Sequence, residues 1–260
     1  MDLGLKGRKA LVTGGSKGIG RAIAFELAGE GADLAICARG ARDLDDTAAT
    51  LREETGVDVF AGAADVTDTN EIRAFVEQAA AALGGLDILV NNAGSALPGT
   101  FEDVEEVRWR ADLDVKLFAA MRCVRAALPY LKQSTQARII NINSIVGRQI
   151  APEYIANSTD RAACLAFSKG LADNLAKYGV LVNSVNPGNV KSQAWGSTLD
   201  YFAPDAELEE YYAQASRETP LGRVGEADEI AAVVTFLASK RASYITGASI
   251  DVDGGLVRYI

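Results

Sequence analysis

Short unbroken runs of apolar residues alternate along this chain with longer stretches in which apolar positions recur every three to four residues. Residues 10–12 open a buried strand, and residues 21–28 carry a helical pattern ended by Gly29 and Gly31. A second strand at 33–38 (DLAICA) precedes a helix at 43–54 and a strand at 57–61. A helix at 71–83 stops at Gly84-Gly85, and a fourth strand follows at 86–90. The second half continues the alternation. A long helix at 109–131 has Pro129 near its end, followed by a strand at 138–142, a helix at 160–178 and a strand at 180–185. A helix at 226–238 and a last strand at 248–252 complete the pattern, and only 189–220 reads as a long irregular stretch. Strands covered on both faces show continuous apolar runs rather than alternation. Repeated strand–helix units require right-handed crossovers, which place helices on both faces of a parallel sheet. The expectation is an α/β fold, with a parallel seven-stranded sheet in a single domain over residues 1–260.

Composition narrows the chemistry. With 48 % hydrophobic and 23 % charged residues, the chain is an ordinary globular one that needs no staples. A net charge of −9 disfavours nucleic acid as partner, since phosphate neutralisation needs a basic face. The chain has no histidine and three scattered cysteines, Cys37, Cys123 and Cys164, so no metal site of the Cys/His kind is expected. The thiols read as buried and free in a reducing compartment. No imidazole base is available to any mechanism. The first residues lack a signal-peptide pattern, and no apolar run is long enough to span a bilayer. A cytoplasmic protein with no membrane association is the expectation.

The turn after the first strand is Thr13-Gly14-Gly15-Ser16-Lys17-Gly18-Ile19-Gly20, and a helix follows at once. Glycines in such a turn allow positive φ and close backbone approach. The free N–H groups of the helix start then face a diphosphate. This placement predicts dinucleotide binding on a Rossmann-type sheet, with Gly14, Ser16, Lys17, Gly18, Ile19 and Gly20 in the loop. The end of the second strand sets the cofactor type, because NAD binders place a carboxylate there for the ribose 2′-OH. This chain has Ala38 followed by Arg39. Arg39 and Lys17 suit a 2′-phosphate, so NADP(H) is the expected cofactor.

With these residues in place, the chain resembles the short-chain dehydrogenase/reductase family over essentially its full length. Thr13–Gly20 resembles the family's glycine motif, and Asp65-Val66 its adenine-contacting pair. Asn91-Asn92-Ala93-Gly94 resembles its Asn-Asn-Ala-Gly motif, with Asn92, Ala93 and Gly94 expected at the cofactor. Asn186-Pro187-Gly188 resembles the Pro-Gly after the sixth strand, so Pro187 and Gly188 join the expected cofactor site. Asp251-Val252-Asp253-Gly254-Gly255 resembles the C-terminal signature. The resemblance implies hydride transfer between a nicotinamide and a small-molecule carbonyl or alcohol substrate. It also implies a homo-oligomer, tetramer or dimer, packed through the helices at 109–131 and 160–178. Residues 189–220 would be a substrate lid, with Trp195, Tyr201, Phe202, Tyr211 and Tyr212 as pocket wall or as subunit packing.

The resemblance breaks at the catalytic set. The family uses a Ser, a Tyr thirteen residues on and a Lys four residues later, with an Asn on the preceding long helix. The Tyr exchanges a proton with the substrate oxygen, and its pKa of ~10 must fall beside an ammonium. Ser144 stands where the Ser belongs, but Asn157 stands at the Tyr position, Arg161 at the Lys position and Lys116 at the Asn position. In one reading Tyr154, three residues before Asn157, becomes the proton donor, Lys116 supplies an ammonium and Arg161, which cannot release its proton, serves as fixed charge. In a second, Ser144, Asn157 and Arg161 stabilise an oxyanion in an elimination or isomerisation. In a third, the protein binds the cofactor without turnover, as a sensor or partner subunit.

Overall fold

The computed structural model describes residues 2–192, 195–205 and 207–259, with backbone only for 195–197. The strands are β1 (Lys9–Thr13), β2 (Asp33–Ala38), β3 (Val59–Ala63), β4 (Ile88–Asn91), β5 (Arg138–Ile142), β6 (Leu181–Pro187) and β7 (Ser249–Val252). All six neighbouring pairs are parallel, in the order β3-β2-β1-β4-β5-β6-β7. The order reverses at β1, whose two neighbours are β2 and β4. An open parallel sheet has its crevice at the carboxyl ends of the strands beside such a reversal.

The helices are α1 (Gly18–Gly29), α2 (Ala41–Thr55), α3 (Thr69–Leu83), α4 (Glu106–Leu113), α5 (Ala119–Leu131), α6 (Ile155–Leu175), α7 (Trp195–Phe202), α8 (Leu208–Glu218) and α9 (Ala227–Ala238). They divide between two hydrophobic cores. Ala10, Val12, Leu34 and Ile36 face one core with Ile23, Leu27 and Val234 of α1 and α9. Leu11, Ala35 and Cys37 face the other with Phe75, Val76, Cys123 and Leu175 of α3, α5 and α6. Successive strand residues thus enter opposite cores, which is why the strands read as unbroken apolar runs.

Three stretches differ most from the sequence expectation. The stretch expected as one helix at 109–131 begins at Glu106 and contains a π-helical turn, Asp114–Phe118, between α4 and α5. Such wide turns carry no composition signal and cluster at functional sites. The helix expected from 160 starts at Ile155, one turn earlier, because Asn157, Ser158 and Asp160 are polar yet buried. Within 189–220, expected as irregular, the described residues hold the short helices α7 and α8.

Candidate active site

The glycine loop is built for close approach. Gly14 (φ +65°) and Gly18 (φ +52°) take the left-handed backbone that glycine allows. A Cβ on Gly20 would lie 2.2 Å from the Gly14 carbonyl oxygen and 2.3 Å from Asn92 Nδ2, so only glycine lets α1 seat on the turn. Thr13 Oγ1 accepts hydrogen bonds from the backbone N–H of Asn92 (3.0 Å) and Ala93 (3.1 Å). Asn92 Nδ2 donates to the carbonyls of Thr13 (3.0 Å) and Gly14 (3.2 Å). These bonds stitch the ends of β1 and β4 into one rim. α1 has no capping side chain and no acid in its first turn, which leaves its N–H groups open to an anion.

A cavity of about 1150 Å³ runs along this rim. Gly14, Ser16, Lys17, Gly18, Ile19, Gly20, Arg39, Asp65, Val66, Asn92, Ala93, Gly94, Pro187 and Gly188 all line it, as do Ser144, Tyr154, Asn157 and Arg161. Gly188 is close-packed: a Cβ there would lie 2.7 Å from the Cβ of Asp253, which ties the Pro-Gly turn to the Asp-Gly-Gly segment. Asp65 accepts from Thr67 N (2.9 Å) and Oγ1 (2.7 Å), and these bonds hold its carboxyl below the ordinary range. Arg39 is exposed at the cavity edge. Lys17 is instead paired with Asp43, a carboxylate in the first turn of α2 that also lines the cavity. Sequence reasoning looked for an acid at the end of β2 and missed this one five residues further on.

The floor of the cavity lies between β5, the π turn and α6. Ser144 caps the short 3₁₀ turn Ile145–Gly147. A Cβ on Gly147 would lie 2.8 Å from the backbone carbon of Arg161, so α6 packs directly on that turn. Arg161 Nη1 donates to the Ile142 carbonyl (3.0 Å), and its buried Nε has no partner among the described residues. Asn157 is buried, and its Oδ1 accepts from Lys116 Nζ at 2.7 Å. Lys116 does not reach the cavity surface: its side chain is fully buried behind Asn157 and ion-paired with Asp112. Burial and the Arg161 charge pull the Lys116 pKa down.

Two acids join this floor that sequence reasoning did not single out. Asp112, on α4, lines the cavity with a side chain 7 % exposed. Its spacing to Lys116, one helical turn, was a legible signal. Asp160, on α6, is buried, and burial together with the neighbouring Asp112 carboxyl raises its pKa. Nothing in the sequence marked it, because the expected helix began at this residue instead of one turn before it.

Tyr154 occupies the N-cap position of α6 without a side-chain capping bond and packs against α7 and α8. Its hydroxyl lies 3.4 Å from Thr198 Oγ1 on α7 and hydrogen-bonds Tyr211 on α8. Its ring packs at 5.4 Å against Phe202. Burial raises its pKa. Of the expected aromatic wall, Tyr211 lines the cavity, while Tyr201 and Phe202 are exposed and Tyr212 is buried against Ala215 and Val224. The Trp195 side chain lies outside the described residues. Among the described residues, no group of His, Cys, Asp and Glu is placed to hold a metal ion, and no helix is long and apolar enough to cross a membrane.

A glycine-lined crevice at the sheet reversal, with an open helix N-terminus above a polar floor, defines a dinucleotide-binding α/β protein. Residues 14–257 match the family model described as enoyl-(acyl carrier protein) reductase. The chain is 35 % identical to the 3-oxoacyl-[acyl-carrier-protein] reductase FabG of Staphylococcus aureus over 249 residues, 96 % of this chain and 98 % of the relative. An NADPH-bound short chain oxidoreductase from Pseudomonas aeruginosa PAO1, described as containing an atypical catalytic center, superposes with a TM-score of 0.91 at 38 % identity, covering 97 % of this chain and 98 % of that one. L-Sorbose reductase from Gluconobacter frateurii, solved with NADPH and L-sorbose, superposes with a TM-score of 0.95 at 33 % identity over 100 % of both chains. This chain belongs to the short-chain dehydrogenase/reductase family of oxidoreductases.

Proposed function

We propose that this protein is an NADP(H)-dependent oxidoreductase that reduces a small carbonyl compound, or oxidises the corresponding alcohol, with a rearranged catalytic set. The observation that carries the reading is the continuity of one cavity from the glycine loop to Ser144, Asn157 and Arg161. The NADPH bound by both similar structures supports the cofactor choice. So does Arg39, an exposed cation at the end of β2 with no carboxylate beside it on that strand.

The residues fit the cofactor. The open N-terminus of α1 suits the diphosphate, Arg39 the 2′-phosphate, with Lys17 as a second cation once released from Asp43, and Asp65-Val66 the adenine side. The bound cofactor would supply or accept a hydride. The chain's own residues hold the substrate oxygen. Lys116 donates to Asn157 Oδ1, which turns the Asn157 amide nitrogen away from the lysine. That nitrogen, the Ser144 hydroxyl and the fixed Arg161 charge polarise a carbonyl and stabilise the developing alkoxide. Arg161, at the position of the family lysine, would also hold the nicotinamide ribose. Tyr154 is engaged by Thr198 and Tyr211, so we assign its hydroxyl to holding α7 and α8 over the substrate. The segment 189–220 then acts as the lid. Phe118, exposed on the π turn, lies on the helical face expected to pack against a second copy.

The test follows NADPH absorbance with a panel of ketoses and 3-ketoacyl thioesters. Oxidation of NADPH with an alcohol product supports the reading. Product without absorbance change would make the site an eliminase or isomerase. Absence of any turnover, with NADPH altering the affinity for a partner protein, would make it a sensor.

A further inference from the structure

A carbonyl oxygen whose carbon receives hydride at this floor needs a proton, and the family Tyr is replaced by an amide, Asn157, that has none to give. Arg161 cannot release one, and the Tyr154 hydroxyl is turned to the lid. Beside Asn157, the buried groups that can carry a proton include Lys116 and the two aspartates. Asp112 and Asp160 come from different elements, α4 and α6, yet both are buried and their carboxyl groups interact beside Lys116. Two carboxylates buried side by side resist double ionisation, because the second charge meets the first with little water to screen it. Asp160 is 2 % exposed, and its Oδ2 has no donor among the described residues, as a protonated carboxyl tolerates and a carboxylate does not. The groups facing the pair are Lys116 on the π turn and Arg161 and Cys164 on α6. Burial and the Asp112 charge raise the Asp160 pKa, while Lys116 and Arg161 limit the rise.

Resting on the reductase reading above, we propose that the Asp112–Asp160 pair shares one proton and that Asp112, on the cavity wall, delivers it to the substrate oxygen. The carbonyl carbon gains the hydride, the C=O π pair moves onto oxygen, and the oxygen takes the proton from the pair. The pair is left with two negative charges facing Lys116 and Arg161, and water returns the proton. Asp112 is then a catalytic residue. Asp160 is a positioning residue that keeps the proton on the pair at neutral pH. The reverse reaction uses the deprotonated pair as base.

The first test is infrared spectroscopy of the cofactor-free protein as pH rises from acid to alkaline. We expect a protonated-carboxyl C=O band that persists at neutral pH, fades above it and is missing in Asp160→Asn. No such band in the wild type at neutral pH overturns the proposal, whether or not any variant folds. The second test is carbonyl reduction by Asp160→Asn, with NADPH affinity as control for folding. General acids contribute about 10²–10⁴-fold, so kcat should fall at least about a hundredfold with unchanged cofactor affinity. The fall in wild-type rate with rising pH should also vanish. A variant that keeps wild-type kcat and pH profile overturns the acid pair while leaving the reductase reading intact. A wild type that reduces no carbonyl removes that reading and the proton-delivery role with it.

Discussion

In the proposed reading, single side chains carry the cofactor choice and the oxygen-binding role. Arg39 is exposed at the cavity edge, and a charge-assisted contact with a 2′-phosphate is worth about 1.5–3 kcal/mol. Arg39→Glu should therefore weaken NADPH binding by at least about tenfold in a fluorescence titration, since 1.4 kcal/mol is tenfold. NADH affinity should change much less; an equal loss of both would remove Arg39 from the phosphate site. Lys17 is a weaker candidate, because Asp43 already occupies it. Tyr154→Phe removes the hydroxyl that holds Thr198 and Tyr211 but not the ring packed on Phe202. It should raise KM severalfold with kcat nearly unchanged. A loss of about a hundredfold in kcat would restore Tyr154 as the proton donor.

At the scale of elements, the site is an assembly of turns that close packing enforces. Gly20→Ala would drive a methyl against the Gly14 carbonyl and Asn92. Overpacking against backbone costs about 1–3 kcal/mol. The variant should show a lower Tm and an NADPH affinity too weak to titrate; binding as tight as wild type would show that α1 can shift. Those turns were legible in the sequence because each glycine sits between a strand and a helix. The strands were legible because both faces are buried, although β3 lies two residues beyond its expected start. The π turn at Asp114–Phe118 was not, since no residue type demands it. The short helices α7 and α8 were missed; among the described residues, α8 docks through little more than Tyr212 and Ala215 against Val224. Asp160 was hidden too. Polar residues at the start of α6 look like a solvated loop until the opposing acid and lysine from α4 and the π turn are seen against them.

At the scale of the molecule, charge buried at the floor links folding to pH. The folded state holds the Asp160 proton more tightly than the unfolded chain does. Stability is therefore lost as pH rises from the ordinary aspartate range through the raised value. Lys116 acts oppositely at higher pH, because its lowered pKa makes the folded state release a proton that the unfolded chain retains. Asp160→Asn should thus gain Tm relative to the wild type as pH rises from acid to neutral. A constant difference across that range would deny the shared proton. The exposed Phe118 on the π turn predicts association in solution, so light scattering should give a mass above the 27.4 kDa of one chain. A monomer would remove the helical face as an interface.

The central claim is that hydride passes between NADPH and a carbonyl carbon above Ser144, Asn157 and Arg161. NADPH deuterated at the transferable position of the nicotinamide, incubated with the protein and a ketose panel, tests it directly by mass spectrometry of the products. An alcohol carrying one deuterium on the former carbonyl carbon is the predicted result. Products without label, or no product from any ketone the cavity admits, would contradict it.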